Sequence, residues 1–129
     1  MTHADNGIGY LKSAEKDLQA LRNMLDPEKF PVEVFGFHAQ QTVEKCLKAW
    51  LCRFGVVFGK THSIRHLINL LGSADVDTAE LWNFAELTAF AVQFRYDSYD
   101  DIEEDELERQ DLIASMETLH RRVKAQLSK

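Results

Sequence analysis

The stretch from Phe35 to Phe54, FGFHAQQTVEKCLKAWLCRF, decides the fold. At about 100° per residue, Phe35, Ala39, Val43, Cys46, Trp50 and Phe54 fall on one helical stripe. Phe37, Leu47 and Leu51 widen it to roughly half the circumference, the signature of a helix buried on a broad face. That width predicts the central helix of an all-helical bundle. Two polar residues, Gln40 and Glu44, fall inside the apolar arc, four apart and therefore on consecutive turns. The outer face carries His38, Gln41, Lys45 and Lys48. An isolated buried carboxylate is too costly to persist, so it must be paired or protonated. Two readings of Glu44 stand: it reaches water at the edge of the arc, or it holds a cation inside the bundle.

Working outward, helix one spans about Asp5 to Leu25, with Leu11, Ala14, Leu18, Leu21 and Leu25 as a seam. Asp26-Pro27 ends it, because proline disfavours helical backbone in the preceding residue. The short connection DPEKF makes helices one and two antiparallel neighbours. Pro31 suits the first turn of helix two and Gly55 its terminus. VVFGKTHS reads as a loop, with Val56, Val57 and Phe58 folded onto the bundle. Thr61 or Ser63 caps helix three, about Ser63 to Leu71. Asp75 or Asp77 caps helix four, which runs to about Tyr96. In helix four, Phe84, Leu87, Ala91 and Phe94 form one seam, and Leu81, Ala85, Thr88 and Val92 form its neighbour. Helix five spans about Glu104 to Leu127, with Leu112, Met116, Leu119, Val123 and Leu127 inward. Acids at Glu103 to Glu106 and bases at Arg121, Arg122 and Lys124 complement its dipole. The expectation is one all-α domain over residues 1–129: a helical bundle of four long helices plus a short one.

With 129 residues and 45% apolar content, the chain can bury a real core. The net charge of −6 is local in origin: eight acids and no base lie between Asp97 and Glu108, and the remainder carries a net +2. An anionic ligand elsewhere on the surface is therefore compatible with the overall acidity. Cys46 and Cys52 lie about 240° apart on one helix and cannot pair there. The N-terminal MTHADNGIGYLKSAEK has no apolar signal region and no stretch approaches a membrane span, which predicts a reduced, cytoplasmic protein.

Phosphate loops, a nucleophile elbow and HExxH are absent, and Gly7-Ile8-Gly9 is too short to signify. His62 and His66 have a spacing that could share a metal, but no nearby carboxylate completes a site, so surface histidines are the better reading and no metal or cofactor is expected. Lys45 and Lys48, with His38, form a small basic strip, either a solvated face or a phosphate contact. Arg95 and Tyr96 close helix four beside several carboxylates, in AVQFRYDSYDD. Arginine there suits a salt-bridge clamp or an anion site, since its planar fork pairs bidentately with carboxylate or phosphate.

Three stretches together resemble the HEPN family of helical domains: FHAQQTVEKCLKAWL (Phe37 to Leu51), GKTHSIRHLINLL (Gly59 to Leu71) and FRYD (Phe94 to Asp97). Their order and spacing are similar to the family's over nearly the whole chain. The resemblance implies an up-and-down bundle, often a symmetric dimer, commonly encoded beside a small nucleotidyltransferase. Such pairs act as substrate-binding or toxin–antitoxin modules. Many members are metal-independent ribonucleases built on an arginine, four to six residues, then a histidine. Arg95 matches the arginine, but the corresponding later positions are Asp100, Asp101 and Ile102. A carboxylate there would repel a scissile phosphate, and an ionised one donates no proton.

The resulting expectation is a non-catalytic protein that binds a nucleotide, RNA or a partner nucleotidyltransferase through Lys45, Lys48, His62, Arg95 and Tyr96. Glu44 and Arg95 are expected to pair across helices two and four. Trp50, Trp82, Phe84, Phe90 and Phe94 offer more large apolar surface than short helices hide, which predicts a homodimer. A divergent endoribonuclease toxin built on Arg95 and a purely structural dimerisation module are the alternatives.

Overall fold

The computed structural model describes residues 3–89 and 108–129, with side chains described from residue 6 onward. Every regular element among them is helical: α1 (His3–Leu21), α2 (Val32–Arg53), α3 (Ile64–Ser73), the 3-10 helix η1 (Ala79–Leu87) and α4 (Arg109–Leu127). α2 packs against all four others, and α1 also packs on α4 and α3 on η1. This explains the wide apolar arc: Phe35, Ala39, Val43, Cys46, Leu47, Ala49 and Leu51 are wholly buried.

Gly7, near the start of α1, sits where an added Cβ would meet the Ala49 carbonyl oxygen at 3.1 Å and Leu127 at 3.4 Å. The start of α1 thus lies beside the ends of α2 and α4. α1 is therefore antiparallel to both, and α2 and α4 run the same way. The turn before η1 is tied to the end of α4, with Arg122 donating to the Asp77 carbonyl at 2.9 Å. The order is up-and-down, as the resemblance implies.

α1 ends at Leu21, short of the expected Leu25, and Leu25 is exposed. The chain leaves by single turns, and Asp26 organises the connection: its side chain accepts from Glu28 N and its carbonyl from Phe30 N. Pro31 stands at the N-cap of α2, just before the first turn. Gly55 terminates α2 with φ 66°, and Val56 N bonds back to Leu51 O, closing a Schellman turn. Val56 and Phe58 pack on the core, but Val57 is 82% exposed. Of the two expected caps of α3, Ser63 is the one used: its Oγ accepts from His66 N, while Thr61 Oγ1 accepts from Ser63 N in the turn before the helix.

Asp77, not Asp75, starts the next element, accepting from Ala79 N at 3.1 Å. That element is a nine-residue 3-10 helix where the sequence predicted an α-helix. Its apolar spacing accounts for this. Leu81, Phe84 and Leu87 recur every three residues, and a 3-10 helix stacks such positions on one face; all three are buried. The rest of helix four, including Phe90, Phe94, Arg95 and Tyr96, lies outside the described residues, as do the first positions expected of helix five.

Asp75 instead occupies the C′ position of α3, in left-handed backbone with φ 65°. Val76 N bonds back to Leu71 O around it. Left-handed backbone costs a non-glycine residue about 1–2 kcal/mol, less for aspartate. Its carboxylate also meets the negative end of the α3 dipole. Asp75→Gly is expected to raise stability by about 0.5–1 kcal/mol in urea titrations. A loss of stability would mean that the carboxylate has a favourable role at this turn.

Among the expected apolar contact residues, Trp50 and Phe84 belong to the core and are unavailable for association. Trp82 is 38% exposed. Among the described residues, no helix is long and apolar enough to cross a membrane.

Candidate functional site

Gln40, Glu44 and Lys48 recur every four residues on α2 and form a buried polar row. Helical projection puts Lys48 on an outer face, but α2 is so enclosed that Lys48 is only 7% exposed. Its aliphatic stem runs along the apolar interior. Its ammonium reaches back to Glu44 Oε2 at 3.1 Å and lies 5.6 Å from the centre of the Phe58 ring. The other carboxylate oxygen, Oε1, accepts from Gln40 Nε2 at 3.0 Å and faces His62 Nδ1, also at 3.0 Å. Gln40 Nε2 donates in addition to the His62 carbonyl at 3.0 Å.

This row holds the loop that leads into α3. His62 is tied to α2 by both its ring and its backbone, while half of its side chain stays exposed. Of the two readings of Glu44, the buried one holds. Its cation is Lys48, from its own helix, with His62 alongside. The expected partner Arg95 lies outside the described residues.

Lys45 lies three residues from Lys48 but faces α1. It binds Asp17 Oδ2 at 2.6 Å, and His38 Nδ1 stands 3.5 Å from Asp17 Oδ1. The expected basic strip is thus divided into two neutralised clusters. The structure brings Lys48 and His62 together around Glu44, sets Lys45 apart on Asp17, and leaves Arg95 and Tyr96 outside the described residues. His62 belongs to a loop and His66 to α3, so they do not share a helical face. Among the described residues, no group of three or more His, Cys, Asp or Glu side chains could hold a metal.

Two polar residues with structural weight were not assigned from the sequence: Asp17, the anchor of Lys45, and Arg109. Arg109 is 7% exposed and donates to the carbonyls of Met24 at 2.6 Å and Phe30 at 2.7 Å. The four-residue spacing of Gln40, Glu44 and Lys48 was a usable signal for the buried row. Nothing local marked Asp17 or Arg109, whose partners lie far along the chain.

Cys46 is wholly buried behind this surface, and burial first, then the charges of Glu15 and Asp17, push its thiol up to about 12 from an ordinary 9.0. A thiol raised in the folded state favours folding fully below its unfolded value and loses that contribution as pH climbs from 9 towards 12. At pH 10.5 the loss is about 2 kcal/mol, from roughly 1.5 pH steps at 1.36 kcal/mol each. Urea unfolding at pH 7.5 and 10.5 is expected to show this extra loss in the wild type and not in Cys46→Ala. Equal losses in both proteins would assign the alkaline instability elsewhere.

A family model of the HEPN domain matches residues 9–126. No curated protein and no solved structure matches the chain.

Proposed function

The chain belongs to the HEPN domain family, and from that premise we propose that it is a non-catalytic helical protein that binds a nucleotide, an RNA or a partner nucleotidyltransferase. It would act as a homodimer in the cytoplasm, in a two-gene module of the toxin–antitoxin kind. The observation that carries the reading is the replacement of the ribonuclease histidine. Positions five, six and seven beyond Arg95 are Asp100, Asp101 and Ile102. Hydrolysis of a phosphodiester without a metal needs a group that moves a proton and a cation that holds the phosphate. Arg95 supplies a cation, and the acids that follow repel the substrate.

The buried row on α2 supports this. Lys48 is committed to Glu44 and Lys45 to Asp17, so neither is poised over a reacting phosphate. His62 is the one described histidine beside the row, and its ring is held against Glu44 at 3.0 Å. These groups are engaged in contacts within the fold.

The decisive experiment incubates purified protein with total RNA, beside an Arg95→Ala control, and follows cleavage on denaturing gels. No cleavage is expected from either protein. Cleavage by the wild type that vanishes in Arg95→Ala would replace this reading with a divergent endoribonuclease. Co-expression with a nucleotidyltransferase encoded next to the chain tests the partner branch by stable co-purification.

A further inference from the structure

Lys45 and Lys48 are engaged internally, and another set of bases lines a groove elsewhere on the surface. A groove of about 630 Å³ runs between α1 and α4, with Lys12, Glu15, Glu117, His120, Arg121 and Lys124 among the residues on its walls. Its size is ordinary for a small-ligand site. The two helices are antiparallel, which fixes the level of each side chain. Glu15 Oε2 stands 3.5 Å from His120 Nε2 across the groove. Lys12 is one turn before Glu15 and Lys124 one turn after His120, so both lie at the same level, on facing walls. Arg121 adjoins them on α4.

The charges in the groove are unevenly committed. Arg22 pairs with both acids, Glu15 at 3.7 Å and Glu117 at 3.4 Å, and so offsets one of their two negative charges at that end. Arg121 spends one nitrogen on the Thr118 hydroxyl at 3.3 Å. Lys12 and Lys124 are exposed and have no ion pair or side-chain hydrogen bond among the described residues. His120 is largely buried, and its Nε2, in spite of the nearby Glu15, has no hydrogen-bond partner. Ile8, Leu11 and Leu127 give the same end an apolar floor. The result is three cations and a partnerless imidazole nitrogen around an apolar trough, a setting for a phosphate ester with a nonpolar portion beside it.

We propose that the α1–α4 groove is a phosphate-ester site, formed by Lys12, Arg121 and Lys124, that takes a nucleotide or an RNA backbone. The proposal rests on the nucleotide- and RNA-binding reading above and moves its ligand away from the α2 face. Contacts of this kind are electrostatic and carry no base readout, so binding is weak, insensitive to sequence and strongly dependent on salt. Three phosphate contacts to a single strand predict a log–log salt slope of about −2.

The test uses the full chain, a fluorescent mixed-sequence RNA 12-mer and, separately, fluorescent ATP, with anisotropy read between 25 and 200 mM salt (roughly the range over which such contacts are lost). In Lys12→Gln/Lys124→Gln, affinity at low salt is expected to fall roughly tenfold or more and the RNA salt slope to flatten to about −0.7. Lys29→Gln/Lys60→Gln removes the same charge from exposed lysines outside the groove and is expected to bind as the wild type does. Circular dichroism of both variants checks that the helices are intact. RNA binding that depends on the pair, without ATP binding, assigns the site to a strand; dependence of both probes assigns it to any phosphate ester. Binding that the Lys12/Lys124 variant leaves unchanged overturns the groove and leaves the broader reading standing. No binding of either probe by the wild type overturns the nucleotide and RNA reading, and the groove with it.

Discussion

Glu44→Ala is expected to destabilise the protein by about 3–5 kcal/mol, the usual cost of removing one member of a buried ion pair. Glu44 is 4% exposed and Lys48 is 7% exposed. Without the carboxylate, the Lys48 ammonium loses its 3.1 Å partner and keeps only the flank of Phe58. Gln40 loses one of its two acceptors, and the His62 ring loses its anchor to α2. The loss should therefore extend to the loop before α3, where amide exchange at residues 59–63 should quicken. Glu44→Leu combined with Lys48→Met removes both charges and fills the space, so it is expected to restore much of the loss. Chemical denaturation of Glu44→Leu, Lys48→Met and the double variant measures the coupling. An unchanged midpoint in Glu44→Ala would show that the carboxylate contributes nothing inside the bundle. Adding Arg95→Ala to the cycle tests the pairing of Glu44 with Arg95 expected from the sequence. Additive losses from Glu44→Ala and Arg95→Ala would mean that the two side chains do not interact.

The bundle was legible because its signal is repeated. Four long apolar periods, two short breaks and Gly55 all point to one helical arrangement, and residues such as Phe35, Val43 and Leu47 lie where their spacing puts them. The polar site was less legible, for geometric reasons. Helical projection treats a side chain as a spoke, but Lys48 is a flexible stem whose charged end lies a full turn from its Cα. The projection therefore placed it in water, where the structure gives it to Glu44. Lys45 looked equivalent on the wheel and is claimed by Asp17, 28 residues earlier. Nothing in a local window contains that pairing. The 3-10 form of η1 was hidden in the same manner. Leu81, Phe84 and Leu87 fit an α-helical period loosely and a period of three closely. The groove between α1 and α4 had no sequence signature at all, because Lys12 and Lys124 become neighbours only after antiparallel packing.

Arg109→Met is expected to cost about 3 kcal/mol, from two charge-assisted hydrogen bonds whose individual worth is about 1.5–3 kcal/mol and which overlap in effect. Arg109 opens α4 and is nearly buried, and its two terminal nitrogens reach the Met24 and Phe30 carbonyls, on either side of the turn that Asp26 and Pro27 create. Its guanidinium also lies 4.9 Å from the centre of the Phe35 ring, at the start of α2. One side chain thus joins the end of α1, the connection, the first turn of α2 and the start of α4. Methionine keeps an apolar stem against Phe35 and loses the guanidinium, so the measured loss reports its polar interactions, the two carbonyl bonds among them, more than the packing. Arg109→Lys keeps the charge but cannot span two carbonyls with one planar fork, and an intermediate loss of about 1.5 kcal/mol is expected. The effect should be concentrated in space. Amide exchange across residues 22–31 should accelerate in both variants, well beyond any change in the middle of α2. If Arg109→Met unfolds at the wild-type midpoint and the connection exchanges no faster, the two carbonyls are satisfied without Arg109 and the clamp is not a determinant of the fold.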